Sequence, residues 1–458
     1  MDAKKNDVLV IGGGTAACVA ADAVLEAGKS VTMVFPNGGS SEVSSGTVDI
    51  MGVIPGENPV LCEDYTEGVE KLIQAFPNHV YSKCKGELKA GVDALLSLAE
   101  AGGYILKGFD GKNAWVPNML GTFAVNAYVP STMYEGAVVP GAKERVLVVG
   151  VKGNVNFNAK ASAMSYQQYQ KKLGGKADYF STEIQIKGWG DRRKISDGEL
   201  ADYLDTKAGK EELVSIIKTF CMNNRYAFDK ILFPPVLGYL NYNEIVAELK
   251  EACGCKIAEV AALGNSVVGY RFTRAIYRGL EKKGATILRG ATAKKLEAAD
   301  GGVKVEARLG LLDQYHPGQE EVFEVPAVVL ATGGFVGGGI KARHTDVWIE
   351  LLDQHLGKVT TDQLDRDAVN PAGQDFMRMG VEVNDDMSVA DTKYNGRVFA
   401  CGDVLAGHNF ASERSGAGIA AASAYLAGKN AAAKISEMGE RQWQHKNFQS
   451  YITGHPTV

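Results

Sequence analysis

The sequence lacks long apolar segments and lacks an excess of positive charge. None of its apolar runs reaches the roughly eighteen residues that a membrane-spanning helix needs. The formal net charge of −5 excludes the basic surface with which proteins bind nucleic acids. The N-terminus has no apolar stretch of signal-peptide length. We therefore expect a cytoplasmic protein that binds no nucleic acid and does not insert into the bilayer.

Cysteine is also sparse, and its pattern excludes a disulfide framework. The 458 residues contain seven cysteines, an odd number scattered along the chain, which is typical of a reducing compartment. Cys253 and Cys255 are the one close pair, and a single CxC motif lacks the four ligands that zinc or an iron–sulfur cluster requires. We predict no metal site in this chain.

What the sequence does contain, near its start, is a glycine turn between a strand and a helix. The apolar segment from Asp7 to Ile11 is followed by Gly12-Gly13-Gly14 and then by residues of helix-forming composition. In such a unit the first glycine makes the turn and Gly14 lets a phosphate approach the backbone, while Ala17 allows close packing of helix on strand. Free N–H groups at the helix start bind the anion. The pattern predicts a βαβ nucleotide-binding unit.

The second strand of this unit, Ser30 to Phe35, ends without the expected acid. Dinucleotide-binding proteins usually carry Asp or Glu there to hold the adenosine ribose, whereas this chain has Phe35-Pro36. The absence favours FMN as the nucleotide. FAD held by other contacts stays the alternative, with Glu42 either a displaced ribose ligand or a solvated loop residue.

Two later segments extend the nucleotide site to a flavin. The strand in AVVLATGGF ends at Ala331, Thr332 and Gly333, and the strand in RVFACGD delivers Asp403 directly after Gly402. In flavoproteins of this type the first passes the cofactor closely and the second places a carboxylate at the ribityl hydroxyls. The N–H groups of a helix opened by Ser415, Gly416 and Gly418 would face the flavin pyrimidine.

These signals predict an α/β fold: a Rossmann-like flavin-binding domain whose parallel sheet is discontinuous in sequence, with an inserted α/β cap domain. We assign residues 1–104, 265–340 and 380–438 to the flavin-binding domain, residues 105–264 and 341–379 to the cap, and residues 439–458 to a polar tail. The segment RVLVVG at 145–150 also has the pattern of a strand that ends in glycine, so it could begin another nucleotide site. The residues that follow, VKGNV, lack the glycine spacing that holds a phosphate, which favours a core strand followed by a turn.

Three segments are distinctive: the triple-glycine start, the loop VSSGTVDIMG and the segment RVFACGDVLAGHNFASERSGAGIAAASA. Together they resemble the B-type subunits of the anaerobic, quinone-linked glycerol-3-phosphate dehydrogenases. The likeness covers nearly the whole chain and lies within the succinate dehydrogenase/fumarate reductase-like flavoproteins. It implies that Ser44, Ser45 and Gly46 lie against the isoalloxazine and that the flavin is FMN. It also implies two partners, a catalytic A-type flavoprotein subunit and an iron–sulfur subunit that anchors the complex at the inner face of the membrane.

Three functions remain open at this point. The first is a flavoprotein subunit that passes electrons from glycerol 3-phosphate towards an iron–sulfur partner and quinone. The second is an autonomous flavin-dependent dehydrogenase or reductase of a small substrate, and the third is an assembly subunit with a decayed flavin site. No catalytic residue can be assigned. A base and phosphate-binding cations would have to come from the following candidates: His344 with Arg343, His408, Arg414, and the pair Arg271 and Arg274, which alternatively belongs to a solvated helix face.

Overall fold

The structure is a computed structural model that describes residues 6–189, 192, 194–224, 227–264, 266–310, 318–367 and 370–453. Its strands are β1 (Val8–Ile11), β2 (Val31–Phe35), β3 (Val53–Ile54), β4 (Val60–Leu61), β5 (Leu106–Gly108), β6 (Ala114–Pro117), β7 (Phe123–Asn126), β8 (Tyr128–Pro130), β9 (Arg145–Val151), β10 (Asp178–Ile184), β11 (Lys230–Phe233), β12 (Lys256–Glu259), β13 (Thr286–Arg289), β14 (Thr292–Ala299), β15 (Gly302–Leu309), β16 (Gln319–Val325), β17 (Ala327–Leu330), β18 (Lys341–Arg343), β19 (Asp346–Ile349), β20 (Gln354–Lys358) and β21 (Val398–Ala400).

The helices are α1 (Thr15–Glu26), α2 (Gly39–Glu42), α3 (Tyr65–Ala75), α4 (Tyr81–Cys84), α5 (Leu88–Ala101), α6 (Ser131–Tyr134), α7 (Ala159–Tyr169), α8 (Asp197–Leu204), α9 (Lys207–Asn223), α10 (Tyr242–Cys253), α11 (Val267–Lys282), α12 (Phe410–Glu413) and α13 (Gly416–Thr453). Within the described part of the chain, none of them is both long enough and apolar enough to cross a bilayer.

The larger parallel sheet is assembled from strands that lie far apart in the sequence. Its order is β13-β2-β1-β17-β21, and every neighbouring pair is parallel. Strands β1, β2, β17 and β21 are buried along their whole length, as expected for apolar strands covered on both faces by crossover helices. Helices α1 and α13 pack against each other, and α5 packs against α11 and α13. The predicted discontinuous, Rossmann-like sheet is confirmed.

A second parallel sheet has its own hydrophobic core. Its order is β10-β9-β11-β12, with β9 and β11 in the centre. Buried side chains that form this core include Leu147, Val149, Ile231, Phe233 and Ile257. All four strands come from the segment predicted as an α/β insertion, so the predicted fold class is confirmed. The exact boundaries of the two domains stay a prediction.

Smaller antiparallel sheets complete the molecule. Strands β14, β15 and β16 form one, β18, β19 and β20 form another, and β5-β8 and β6-β7 are two-stranded. Helix α13 continues to Thr453, so the segment predicted as a polar tail is helical over 439–453, and residues 454–458 lie outside the described residues.

A buried ion pair joins α11 to the second sheet. The guanidinium of Arg271 donates from Nη1 to Oε2 of Glu259 at 2.6 Å and from Nη2 to Oε1 at 3.1 Å. Its Nε donates to the carbonyl oxygen of Gly238 at 2.6 Å. Both charged side chains are at most 1% exposed. The solvated-face interpretation is therefore wrong for Arg271, although Arg274 is half-exposed.

Candidate functional site

The glycine turn after β1 brings two strands into contact where they end. Gly12 has φ +142, and a Cβ there would overlap the carbonyl oxygen of Ala331. The Ala331 amide in turn donates to the carbonyl oxygen of Ile11 at 2.9 Å. A side chain at position 12 would therefore push β1 away from the loop that follows β17.

Helix α1 begins with its positive end open. Its N-cap, Gly14, has no side chain, and no acidic residue lies in the first turn. Among the described residues, the side-chain acceptor at this end is Ser41 of α2, whose Oγ accepts from the Thr15 amide at 3.0 Å. The remaining amides of a first helical turn have no intrahelical acceptor and carry the positive end of the helix dipole. This arrangement fits a phosphate group.

The turn after β21 lies beside the same helix start. Gly402 has φ +75, and a Cβ there would come within 2.6 Å of the Ala16 Cβ. The adjoining carboxylate of Asp403 accepts at Oδ2 from the Gly334 amide at 3.1 Å. Gly333 has φ +76, and Thr332 is half-buried in the same loop. The structure thus brings together the residues predicted around Gly14, Thr332 and Asp403, although their roles stay predictions.

Asp403 is held by a buried histidine. His408 Nε2 lies 3.3 Å from Asp403 Oδ1, and the His408 side chain is 2% exposed while that of Asp403 is 30% exposed. The other ring nitrogen of His408, Nδ1, is buried and has no hydrogen-bond partner within the described part of the chain. Asp403 therefore presents a fixed, partly accessible carboxylate that can accept a hydrogen bond from a ligand hydroxyl.

A buried carboxylate next to this pair was missed by the sequence analysis. Glu413 Oε2 bonds His79 Nε2 at 3.1 Å and accepts from the Ser415 hydroxyl at 2.9 Å. Its Oε1 accepts from Arg378 Nη1 at 3.2 Å and from the Asn409 amide at 2.9 Å. Burial opposes ionisation of Glu413, but the hydrogen bond from His79 and the nearby His408 lower its pKa to about 2. Glu413 is thus a fixed buried anion.

The loop predicted to lie against the isoalloxazine is held by its own side chains. The Ser44 hydroxyl donates to the Ser41 carbonyl oxygen at 2.8 Å and accepts from the Gly46 amide at 3.1 Å. The hydroxyls of Ser45 and Thr47 are 2.6 Å apart. Gly46 has φ +66, and its carbonyl oxygen accepts from the Tyr104 hydroxyl at 3.1 Å. These hydrogen bonds fix the loop from within the chain, and the roles of Ser44, Ser45 and Gly46 stay predictions.

The start of α13 differs from what the sequence led us to expect. The Ala417 amide donates to Asp49 Oδ1 at 2.9 Å, and the Gly418 amide donates to the Asp49 carbonyl oxygen at 2.8 Å. Burial raises the pKa of the Asp49 carboxyl, although the helix amides stabilise its anion. Of the amides expected to face a flavin pyrimidine, that of Ala417 is thus bonded to an internal carboxylate and that of Gly418 to a backbone carbonyl. The ligand role of Ser415, Gly416 and Gly418 remains a prediction.

An aromatic pair fills the position where an acid usually follows β2. The Phe35 ring is 2% exposed and packs so closely on Gly13 that a Cβ there would overlap it. It stacks on Tyr277 with ring centroids 5.3 Å apart, and the Tyr277 hydroxyl donates to the Gly13 carbonyl oxygen. The nearest acid, Glu42, accepts at Oε2 from the Gly38 amide at 3.1 Å. Phe35 and Tyr277 therefore wall the glycine turn on this side.

The remaining catalytic candidates lie on exposed segments. Arg343 ends β18 and pairs with Glu350 at 2.6 Å, and His344 occupies the exposed turn that follows. Arg414 is exposed beside Gly52. Within the described residue ranges, no group of three or more His, Cys, Asp or Glu side chains is arranged to hold a metal ion. No catalytic base follows from these positions.

Comparison with known proteins points to a flavin. Residues 7–176 match the FAD binding domain family. The chain is 24% identical to a Pectobacterium atrosepticum protein named as the B-type subunit of an anaerobic glycerol-3-phosphate dehydrogenase, over 91% of this chain and 96% of that protein. It is 27% identical to a Halobacterium salinarum protein named as a probable B-type subunit of the same kind, over 94% and 99%. The family match therefore supports a flavin site and indicates FAD; the expectation of FMN is not confirmed.

Two solved structures cover most of the chain at low similarity. Mycobacterium smegmatis Sdh1 is 13% identical with a TM-score of 0.40, covering 95% of this chain and 69% of that one. The quinol fumarate reductase protein FrdA of E. coli is 8% identical with a TM-score of 0.41, covering 95% and 71%. Both TM-scores are too low to transfer the role of any residue.

Proposed function

Because the chain resembles the B-type subunits of the anaerobic glycerol-3-phosphate dehydrogenases over nearly its whole length, as its motifs predict, we propose that it is the flavoprotein subunit of such a complex. Its reaction class is that of a flavin-dependent oxidoreductase. In this proposal it receives electrons from the oxidation of glycerol 3-phosphate to dihydroxyacetone phosphate and passes them towards an iron–sulfur partner and quinone.

The partners in this proposal are a catalytic A-type flavoprotein subunit and an iron–sulfur subunit that anchors the complex to the membrane. The chain itself would be cytoplasmic and peripheral at the inner face of the membrane, held there through the anchoring subunit. The names of the relatives, which describe each of them as one subunit of a dehydrogenase, support a multi-subunit assembly.

The observation that carries the proposal is the meeting of three strand ends at the start of α1. The α1 amides would hold the cofactor phosphate, and the glycines at 12 and 402 let the strand ends pack closely on Ala331 and Ala16. Asp403, fixed by the Gly334 amide and His408, would accept a hydrogen bond from a ribityl hydroxyl. When bound, the flavin supplies reversible acceptance of electrons.

FMN stays our proposal for the nucleotide. Support comes from the end of β2, where dinucleotide-binding proteins usually carry the acid that holds the adenosine ribose. Here the Phe35 ring occupies that position, stacks on Tyr277 and leaves no space beside Gly13. FAD held by other contacts is the alternative.

Two measurements test the proposal. Denaturing the holoprotein and determining the mass of the released chromophore should give FMN, and the mass of FAD would contradict the nucleotide assignment. Glycerol 3-phosphate should bleach the flavin absorbance when the A-type subunit is present and leave it unchanged when the chain is alone. Bleaching of the isolated chain by a substrate would contradict the subunit role and favour an autonomous dehydrogenase.

A pair of variants tests the site itself. Asp403→Ala should purify with less than half of the wild-type flavin, because the ribityl contact and the anchor for Gly334 are both lost. The exposed Asp385→Ala is the matched control and should retain wild-type flavin. Equal flavin content in the two variants would contradict the placement of the cofactor at Asp403.

A further inference from the structure

An open cleft lined by arginines lies on the other side of the aromatic wall. It has a volume of about 620 Å³, and its lining includes Arg274 and Arg278 from α11 and Arg289 from the end of β13. We call this feature the arginine cleft. The Tyr277 ring belongs to both the wall and the cleft, since Arg289 lies over it at 4.3 Å from the ring centroid.

The three guanidinium groups have no carboxylate partner. In the part of the chain that the structure describes, none of them makes an ion pair with Asp or Glu. The contacts that they do make are weak: Arg274 Nη1 lies 3.4 Å from the Tyr270 hydroxyl, and Arg289 contacts an aromatic face. Arg274 and Arg278 are one helical turn apart, a spacing at which like charges repel. The carboxylates of Glu42 and Glu281 also line the cleft, so three positive and two negative side chains leave a net charge of about +1 there. A bound anion would relieve the repulsion between the arginines.

The location is one where ligands bind in parallel α/β folds. Arg289 is the last residue of β13, which pairs with β2, so the cleft lies at the carboxyl ends of two neighbouring parallel strands. The buried Phe35 ring and the hydrogen bond from Tyr277 to Gly13 stand between the cleft and the glycine turn. The separation from the cofactor rests on the proposed function, in which FMN ends at the start of α1.

The chemistry of the lining favours a phosphate joined to a hydroxyl-bearing group. Guanidinium groups bind phosphate oxygens through paired charge-assisted hydrogen bonds. The carboxylate of Glu42, half-buried at the same cleft, can accept hydrogen bonds from hydroxyl groups. Tyr270 and Arg274 also line a neighbouring cavity of about 470 Å³, so the space extends beyond the size of a free phosphate ion.

We propose that the arginine cleft is a binding site for a phosphate ester, separate from the flavin site. Both a nucleotide and a small polyol phosphate share this chemistry. Arg278, which is exposed and has no partner in the described structure, is the residue whose removal isolates the interaction without disturbing the core.

Calorimetric titration of the holoprotein with AMP, glycerol 3-phosphate and inorganic phosphate tests the proposal. At least one ester should bind more tightly than inorganic phosphate, and which ester does so identifies the source of the phosphate. Arg278→Gln should weaken that binding by about tenfold, the loss of one charge-assisted contact. Arg308→Gln, on the antiparallel sheet of β14, β15 and β16, is the control and should bind as the wild type does.

Three results would overturn the proposal. Esters that bind no better than inorganic phosphate would remove the site, and so would equal affinity of Arg278→Gln and wild type. Release of FAD from a holoprotein that binds none of the probes would assign the cleft to the cofactor itself. The flavin absorbance of each variant reports on the proposed function independently, so loss of probe binding with full flavin content concerns the cleft alone. Arg289→Gln repeats the test from the strand side.

Discussion

The two parallel sheets of this protein contain similar strands that lead into different helix starts: α1 has a glycine as its N-cap, whereas α7 is capped by the side chain of its own N-cap residue, Asn158. Strand β1 stops at Ile11, and the chain turns at once through three glycines into α1. Strand β9 runs on through Gly150 to Val151, and residues 152–158 separate it from α7. There the Asn158 side chain accepts from the Ala161 amide at 2.9 Å and closes the helix start.

The difference shows that an apolar strand followed by glycine does not define a nucleotide site. What matters is whether the helix amides are left without an acceptor and whether the backbone can come close. Near α7, Asn154 and Asn156 both donate to the carboxylate of Asp197, which fills the turn with an internal polar network. The sequence-based interpretation of β9 as a core strand followed by a turn is confirmed.

The largest effect should come from breaking the buried ion pair between Arg271 of α11 and Glu259 of the second sheet. Arg271→Met leaves Glu259 buried without its partner, and we expect a loss of about 4 kcal/mol in the free energy of unfolding. Denaturant unfolding measures it. Arg343→Met removes an exposed pair with Glu350 and should cost less than about 1 kcal/mol. Equal losses of unfolding free energy in the two variants would show that the buried pair of Arg271 and Glu259 does not stabilise the fold.

The second prediction compares the glycines of the two strands. Gly12→Ala forces a Cβ into the Ala331 carbonyl at a φ that L residues avoid, and we expect a loss of about 3 kcal/mol together with the bound flavin. In Gly150→Ala the new Cβ would meet the Ala159 Cβ at 3.1 Å, a contact that a small shift relieves. That control should keep its flavin. Flavin retained by Gly12→Ala would contradict the role of the turn.

The third prediction concerns acid stability. Two glutamates have a pKa lowered to about 2. Glu413 is buried against His79, whereas Glu199 is exposed and bonded to the Ser196 amide at the start of α8. A carboxylate whose folded-state pKa is lowered stabilises the protein above the unfolded-state pKa, and this contribution is lost as the pH falls through the folded-state value. For Glu413 the window is pH 4.5 to about 2, and the contribution is about 3 kcal/mol.

Unfolding experiments across that pH range, on Glu413→Gln and Glu199→Gln, check the assignment. Stability should depend less steeply on pH in Glu413→Gln than in the wild type. The exposed Glu199 is screened by solvent, so its variant should keep most of the wild-type slope. The reverse order of the two slopes would refute the importance of the buried network.

The smallest effect should come from the closed helix start. Asn158→Ala removes the cap of α7 and should lower the free energy of unfolding by about 1 kcal/mol while leaving flavin content unchanged. Asn158→Ser, which preserves a capping acceptor, is the control. A loss of flavin in Asn158→Ala would mean that α7 and the second parallel sheet take part in cofactor binding.

The sequence predicted those features that depend on neighbours along the chain. The β1 strand, the glycine turn and the strand before Asp403 each show a local pattern, and the structure contains all three. The buried network could not be predicted in this way, because His79 and Glu413 are 334 residues apart and meet only in the folded protein. Arg271 was misjudged for a similar reason, since helical spacing does not reveal that Glu259 lies on the buried side.

The loop SSGTVDIMG contains one further residue that bears on the site, Asp49. Its acceptance of two amides from α13 could have been anticipated only by knowing that the loop after β2 meets the last helix. Residues that lie far apart in the sequence give no sign of such a contact. An acid in a short loop, such as Asp49, is therefore interpreted as solvated unless the position of its partner is known.

The contact between Asp49 and the start of α13 also fixes two distant segments of the chain to each other. The Ala417 and Gly418 amides have their acceptors on Asp49, so the loop after β2 and the first turn of the last helix are positioned together. A substitution that removes the Asp49 carboxylate should therefore disturb both segments at once, although Asp49 and Ala417 are 368 residues apart.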